Sequence, residues 1–367
     1  SFIPFPSNNN THKVPTMNIT KTTPWFLYVC LILLSGYKSV KGSISPSSEP
    51  TKDGKFGFKP TTLFVFGDSY ADTGNTPVII SPSWRFPYGI TFPGKPTGRF
   101  GDGRISTDYL AKYLGLRTPI AYKWRRFALP RQVVNKGINF AFGGAGVFET
   151  IFTVPTASMQ INSFERLLRK NVYSPADLNS SVAFFSFIGN DYIKYNIFNG
   201  TSQGRPALIR RVTKQILLDV KRIKDLGVRK VFVVLSPPHN CVPLYSTSKG
   251  CNTSNPLTKL HNSLIREGLR KLNDENNEKS FLMLDFYKAF MTIFKYRGVP
   301  GVSTFSEPLK ACCEGRKGGN SCGDVDIYGR RLYSVCKDPK SFFFWDNVHI
   351  TDEGWRSVFS LLLPDSR

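Results

Sequence analysis

The sequence predicts an α/β protein, a parallel sheet covered on both faces by helices, and three observations lead there. Four short runs, "TTLFVF" (61–66), "SVAFFSFI" (181–188), "KVFVVL" (230–235) and "FLMLD" (281–285), are almost continuously apolar, as strands buried on both faces are. Segments between them repeat apolar residues three and four apart, the stripe of a helix packed on one side. The alternation of the two patterns is the order expected of parallel strands joined by helices.

Taken in order, residues 1–16, upstream of Met17, read as a translated leader. From Met17 follow Lys21, an apolar run from Trp25 to Leu34 and then small residues, the layout of a secretory signal peptide (17–42) cleaved near Gly42–Ser43. That run is shorter than the roughly 20 apolar residues a membrane helix needs. Residues 43–61, rich in Ser, Pro, Lys and Gly, read as a linker. With no internal repeat and no second shift in composition, 62–364 reads as one domain. Its first strand runs into Gly67-Asp68-Ser69, and a short strand "GINFAF" (137–142) runs into Gly143-Gly144-Ala145-Gly146. The strand from 181 runs into Gly189-Asn190-Asp191. A helix follows, with Ile209, Val212, Ile216, Val220 and Ile223 on one side and Gly227 where a left-handed cap belongs. Leu257, Leu260, Leu264 and Leu272 repeat that design before "FLMLD", and a last helix begins near Thr351.

The chain has 367 residues, 41% hydrophobic and 20% charged, which supports a large core and excludes disorder and collagen-like repeats. Its net charge is +23, and the first 42 residues carry four lysines and no acid, so the remainder stands at +19. Between Asp108 and Glu149 there is no acidic residue, while Lys112, Arg117, Lys123, Arg125, Arg126, Arg131 and Lys136 fall inside. Such a face can attract polyanions, here an anionic cell-wall polysaccharide or an acidic membrane surface, although a merely solvated basic face is the plainer and favoured reading. Nucleic acid is not expected as a partner, because no zinc-finger spacing, basic-region heptad or RNP-like aromatic segment occurs. The sequence leaves the oligomeric state open.

Beyond Cys30 in the signal segment, Cys241, Cys251, Cys312, Cys313, Cys322 and Cys336 form an even set without a C-x-x-C spacing, which favours disulfides over zinc. The isolated pair Cys241 and Cys251 is expected to close a local loop, with the other four paired among themselves and never Cys312 to its neighbour Cys313. Sequons at Asn179, Asn199 and Asn252 fit the same secretory route.

In an open parallel sheet, ligands bind beyond the carboxyl ends of strands, where Ser69, the 143–146 glycines and Asn190 would gather. Singly, each has a structural explanation: an N-cap, a close-packed bend, a turn. The far end of the chain changes this. In "FFFWDNVHITDEGW", Asp346 and His349 lie three apart, a spacing that puts both on one side of a helical turn, so that the carboxylate holds the imidazole in one tautomer. A hydroxyl, an imidazole and a carboxylate are the parts of an acyl-transfer triad.

Together, "FVFGDSYADTGN", "PYGITFPGKPTGRFGDGR", "INFAFGGAGV", Gly-Asn-Asp and "DNVHITDEGW" resemble the sequence blocks of the GDSL-type lipase/esterase family, or SGNH hydrolases, in its plant secreted branch. The resemblance runs from about Thr62 to Leu363. It implies a three-layer α/β/α, flavodoxin-like fold and a secreted carboxylic ester hydrolase of the cell wall or apoplast, acting on lipid acyl esters or on cell-wall acyl or acetyl esters. It further implies Ser69 as nucleophile, His349 as base and Asp346 as its orienter, with the Ser69 and Gly144 amides and the Asn190 side chain as oxyanion donors and no cofactor. Gly144 is preferred to Gly143 because the family's donor stands five residues after the Asn, here Asn139. Two positions depart from the pattern: Tyr70 replaces Leu beside the nucleophile, which would narrow the acyl pocket, and Gly101 replaces Ser.

An acyltransferase acting on a sugar or lipid hydroxyl, and a catalytically inactive wall-binding glycoprotein, are the alternatives. Three further residues are set aside. "GNSCG" (319–323) fits a nucleophile-elbow pattern, yet no apolar strand precedes it and Cys322 is expected to be bridged, so Ser321 is loop. His239 follows a strand end and could approach the cleft, but two prolines and a neighbouring cysteine favour a structural loop, and His261 is a half-buried packing position beside polar Asn262.

Overall fold

In the computed structural model the alternating pattern becomes a sheet of β1 (Thr62–Gly67), β2 (Ile120–Ala121), β3 (Ile138–Asn139), β4 (Ser181–Ser186), β5 (Lys230–Leu235) and β6 (Phe281–Asp285). The order across it is β2-β3-β1-β4-β5-β6, and every pair is parallel. The structure describes residues 58–127, 136–246, 250–251, 255–275, 278–299, 303–316 and 319–363, all within the compact unit Lys52–Arg367. The leader, the signal segment, residues 43–57 of the linker, Arg131, Asn252 and position 364 lie outside the described residues.

Period-two alternation sends Leu63 and Val65 of β1 to one face and Phe64 and Phe66 to the other, all fully buried. The first face is covered by α1 (Ser106–Tyr113) and, from the C-terminal part of the chain, by two helices whose apolar stripes include Phe286, Phe290, Trp355 and Phe359. The second is covered by α2 (Ala157–Arg169) and by two longer helices beyond it. In chain order the remaining helices are α3 (Pro175–Asn179), α4 (Asn190–Ile197), α5 (Arg205–Asp225), α6 (Pro256–Glu275), α7 (Phe286–Lys295) and α8 (Asp352–Leu362). The result is the expected α/β/α sandwich. Leaving out the two-residue edge strand β2, the strand order is the flavodoxin-like one, with its switch point at β1 and β4.

Several local expectations hold, but the buried face of α6 is Thr258, His261, Asn262, Ile265 and Leu269, while the expected stripe of Leu257, Leu260, Leu264 and Leu272 is only half-buried. β5 and β6 coincide with the apolar runs, and Gly227 closes α5 at φ +102°, its amide donating to the Lys224 carbonyl. Thr351 caps α8, its Oγ accepting from the Gly354 amide at 2.9 Å. The strand expected over 137–142 is shorter, covering only Ile138–Asn139 as ladder, although Phe140 and Phe142 still donate to Val65 and Gly67 carbonyls. Its entry requires glycine: a Cβ on Gly137, at φ +107°, would lie 1.8 Å from the Leu63 carbonyl oxygen.

Disulfides join Cys241 to Cys251, Cys312 to Cys336 and Cys313 to Cys322. The adjacent cysteines thus bridge to different partners. The last two bridges clamp an antiparallel ribbon, β7 (Cys313–Gly315) with β8 (Tyr333–Val335), and this ribbon holds the chain segment that leads to Asp346: Cys313 donates to the Trp345 carbonyl at 2.7 Å.

Candidate active site

β1 must end in glycine, because a Cβ on Gly67 would stand 2.5 Å from the Ser186 carbonyl oxygen of β4. The turn after it is held by Asp68, whose carboxylate accepts from the Tyr70 amide at 3.0 Å and the Ile188 amide at 2.9 Å, tying the end of β1 to the end of β4. Burial outweighs these two bonds and raises the Asp68 carboxyl to about 7. The same turn presents Ser69 outward, and its Oγ lies 2.9 Å from His349 Nε2.

Asp346 and His349 are brought together, but not by a helical turn. The segment is an irregular loop ahead of α8, bent around Asp346 Oδ1, which accepts from the Val348 and His349 amides at 2.9 and 2.8 Å. Aspartate competes for its neighbours' backbone in this way, and here that competition creates the geometry. Asp346 Oδ2 lies 2.8 Å from His349 Nδ1 and accepts from the Tyr88 hydroxyl at 2.7 Å. Burial opposes ionisation of Asp346, but the adjacent His349 and the two amides prevail and hold its carboxyl at about 2.

Tyr70 supports the same loop. Its hydroxyl donates to the Val348 carbonyl at 2.6 Å and its buried ring meets Trp355 edge-on. Phe100 packs against the imidazole, with ring centroids 5.0 Å apart. Gly101 also has a local reason, since a Cβ there would lie 2.9 Å from the Ile350 carbonyl oxygen.

At the opposite side of Ser69, Asn190 opens α4 and donates from Nδ2 to the Ala145 carbonyl at 2.8 Å, which fixes the plane of its amide. The Gly143 amide is engaged by Asp72 Oδ2 at 3.0 Å and Thr76 Oγ at 2.8 Å. Gly144 differs: its φ is +80°, a Cβ would strike the Phe152 ring at 2.6 Å, and among the described residues neither its amide nor that of Ser69 has an acceptor.

A cleft of about 70 Å³ at Ser69 is lined by Asn190, His349 and also His239. His239 therefore reaches the site although its prolines mark it as loop. Its Nε2 lies 2.6 Å from Ser236 Oγ, and burial lowers its basicity to about 4. His261 is fully buried rather than half-buried and bonds the Tyr192 hydroxyl through Nδ1 at 2.7 Å. Its neighbour Asn262 is polar for an internal purpose, pairing with both the amide and the carbonyl of Ser236. Tyr88 is the site residue that sequence reasoning passed over, since nothing in its local spacing marks it; Tyr70 drew notice only as a departure from the family pattern, and His239 was weighed and set aside as loop. Ser321 is an exposed loop residue beside the bridged Cys322, and Asn179 and Asn199 are exposed.

The GDSL-like lipase/acylhydrolase family model matches residues 63–362. An Arabidopsis thaliana protein, GDSL esterase/lipase At2g36325, is 70% identical over 96% of this chain and 100% of its own length. A second from Arabidopsis thaliana, GDSL esterase/lipase At5g03610, is 45% identical over 92% of this chain and 94% of its own. Acetylajmalan esterase 2 of Rauvolfia serpentina is 31% identical over 83% and 90%. With the fold and the Ser69 rim in place, these similarities establish that the chain belongs to the GDSL-like lipase/acylhydrolase family, in its plant branch, and is a carboxylic ester hydrolase.

Proposed function

We propose that hydrolysis proceeds through an acyl-serine intermediate on Ser69. His349 Nε2 takes the Oγ proton as that oxygen attacks the carbonyl carbon, and the imidazolium returns it to the leaving oxygen, so the alcohol departs and the acyl group stays on Ser69. Water then repeats the attack, again giving its proton to His349, and releases the acid. Asp346 keeps the Nδ1 proton in place and stabilises the imidazolium. The Ser69 and Gly144 amides and the second Nδ2 hydrogen of Asn190 receive the oxyanion, and the engagement of the Gly143 amide by Asp72 and Thr76 favours Gly144 for this role. The observation that carries this reading is the continuous 2.9 and 2.8 Å relay from Ser69 through His349 to Asp346.

Labelling with a fluorophosphonate tests it. Mass spectrometry should find the adduct on the Ser69 peptide, and Ser69→Ala should lose both adduct and turnover. Substantial turnover by Ser69→Ala protein would overturn the assignment.

The substrates we infer are lipid or cell-wall acyl esters met outside the cell. Three disulfides and the exposed sequon residues Asn179 and Asn199 support secretion and glycosylation. Capture of a polyanionic wall or membrane surface has narrower support, because Lys123 packs over Trp84 and Arg125 over Tyr122, leaving Lys112, Arg117 and Lys136 as exposed charges of that stretch among the described residues. Retention on pectin at low salt, lost as salt rises, is the expected result. Retention that ignores salt would sink it.

A further inference from the structure

Beside the cleft at Ser69 lies a cavity of about 500 Å³ walled by α4, the first turn of α5, the loop after β5 and the start of α6. Gly189, Ile193, His239 and Tyr245 line both spaces, so the two adjoin. The cleft offers about 70 Å³. The cavity is of the size that holds whole small molecules, typically some 300–1,000 Å³. An ester has two halves, and these two spaces differ about sevenfold in volume.

Most polar groups of the cavity wall have partners within the protein. Tyr192 pairs with His261 and Ser236 with His239, and Tyr195 donates to the Thr201 carbonyl at 2.9 Å. Burial lowers His239 to about 4 and His261 to about 3, so both imidazoles are neutral at neutral pH. No carboxylate lines the cavity among the described residues.

Arg205 breaks this pattern. Among the described residues its guanidinium makes no hydrogen bond or ion pair, and its Nε is buried without an acceptor. It is the one lining side chain among them that is charged at neutral pH. It also opens α5, where the aligned amides already present positive charge and a cation is disfavoured. An unmatched buried donor is destabilising, and an acceptor oxygen from a ligand would remove that penalty.

We propose that this cavity is the subsite for the alcohol half of the ester, and that Arg205 selects alcohols bearing a carboxylate, while the small cleft holds a short acyl group such as acetyl. The acyl group must stay on Ser69 through both half-reactions and so belongs in the cleft that Ser69 lines. The larger half lies across the scissile bond from it and has the cavity to occupy. The proposal rests on the ester-hydrolysis reading above.

The test compares kcat/KM for 4-acetoxycinnamate, an acetyl ester with a distal carboxylate, against methyl 4-acetoxycinnamate, in which that charge is capped. Wild-type protein should favour the anion at least tenfold, Arg205→Gln should erase the preference, and Arg205→Lys should restore part of it. No preference in the wild type, or one that Arg205→Gln leaves unchanged, overturns the proposal. Equilibrium dialysis of 4-hydroxycinnamate with Ser69→Ala protein supplies a reading without turnover. Retention should be lost in the Ser69→Ala/Arg205→Gln double variant, and retention indifferent to Arg205 again overturns the proposal. Phenyl acetate separates the two layers: if wild-type protein does not turn it over while dialysis shows Arg205-dependent retention, hydrolysis fails and the subsite stands. Brisk phenyl acetate turnover with no anion preference gives the reverse.

Discussion

On the β1–β3 side of the Ser69 turn, buried polar groups answer one another. Asp72 accepts from the Gly74 and Asn75 amides at 2.7 and 2.6 Å and from Gly143 at 3.0 Å, while Asn75 Nδ2 donates to the Asn139 and Ala141 carbonyls, each at 2.8 Å. Asn139 in turn donates to the Ala71 carbonyl at 2.7 Å. Towards the cleft and cavity, donors are left over: the amides of Ser69 and Gly144 and the Arg205 Nε have no acceptor among the described residues. Closed networks fix atoms in place, and open donors await a ligand's oxygen. The difference teaches that rigidity and recognition are kept on separate sides of one serine, and each side fails in its own way when broken.

The largest effect is expected where the closed side touches the chemistry. Asp346→Asn keeps the shape of the loop but cannot hold the Nδ1 proton as a carboxylate does. The corresponding change in a serine protease triad costs about 10⁴ in kcat. We expect a loss of about 10³–10⁴ here, with fluorophosphonate labelling of Ser69 slowed rather than relocated. A loss below tenfold would show that Asp346 is only a loop clamp. On the open side, Asn190→Ala should still label but turn over about 10²–10³ more slowly, with KM little changed, as removal of one oxyanion donor does. A pure KM effect would move Asn190 out of that role and into substrate binding.

Tyr70→Phe probes the join between the two sides. It removes the hydroxyl bonded to the Val348 carbonyl and keeps the ring on Trp355. A lost neutral hydrogen bond is worth about 1 kcal/mol, so kcat should fall several-fold while the fold stays intact. The sequence reading expected Tyr70 to narrow the acyl pocket. If that were its main effect, Tyr70→Phe, which conserves the ring, would leave kcat unchanged and only smaller side chains would alter the choice between short and long acyl esters.

What was legible in the sequence divides along the same line. Strand and helix periods are local, so Lys230–Leu235 and Phe281–Asp285 were readable to the residue. Ser69, Asp346 and His349, which the structure brings within hydrogen-bond reach of one another, could be singled out because they sit in short, unusual blocks. The bend that joins Asp346 to His349 was not readable, because a three-residue spacing suits both a helical turn and a loop bent onto its own aspartate, and the disulfide ribbon at Cys313 that holds Trp345 is distant in sequence. Tyr88 reaches Asp346 across 258 positions, and no local pattern predicts such a contact. Arg205 was invisible for the opposite reason. Its distinguishing property is an absence of partners among the described residues, which exists only once the cavity has been built.

The last expected effect concerns stability rather than turnover and lies on the closed side, away from the reacting groups. Asp102 is buried, with Oδ1 accepting from the Asp352 amide at 2.8 Å and Oδ2 from the Thr91 hydroxyl. Burial outweighs these bonds and raises its carboxyl from 3.8 to about 6. A carboxyl raised in the folded state contributes stability fully present below its unfolded pKa of 3.8, and that contribution is lost as pH rises through about 6. Asp102→Asn stays neutral throughout, and its amide retains an acceptor for Asp352 and gains a donor for Thr91. The variant should therefore match the wild type near pH 4 and exceed it by about 1–3 kcal/mol at pH 8, read from denaturant midpoints at each pH. A constant difference at both pH values would mean that Asp102 is ionised in the folded protein across this range, held so by the Asp352 amide and the N-terminus of α8, and the closed network would then owe part of its rigidity to a buried charge.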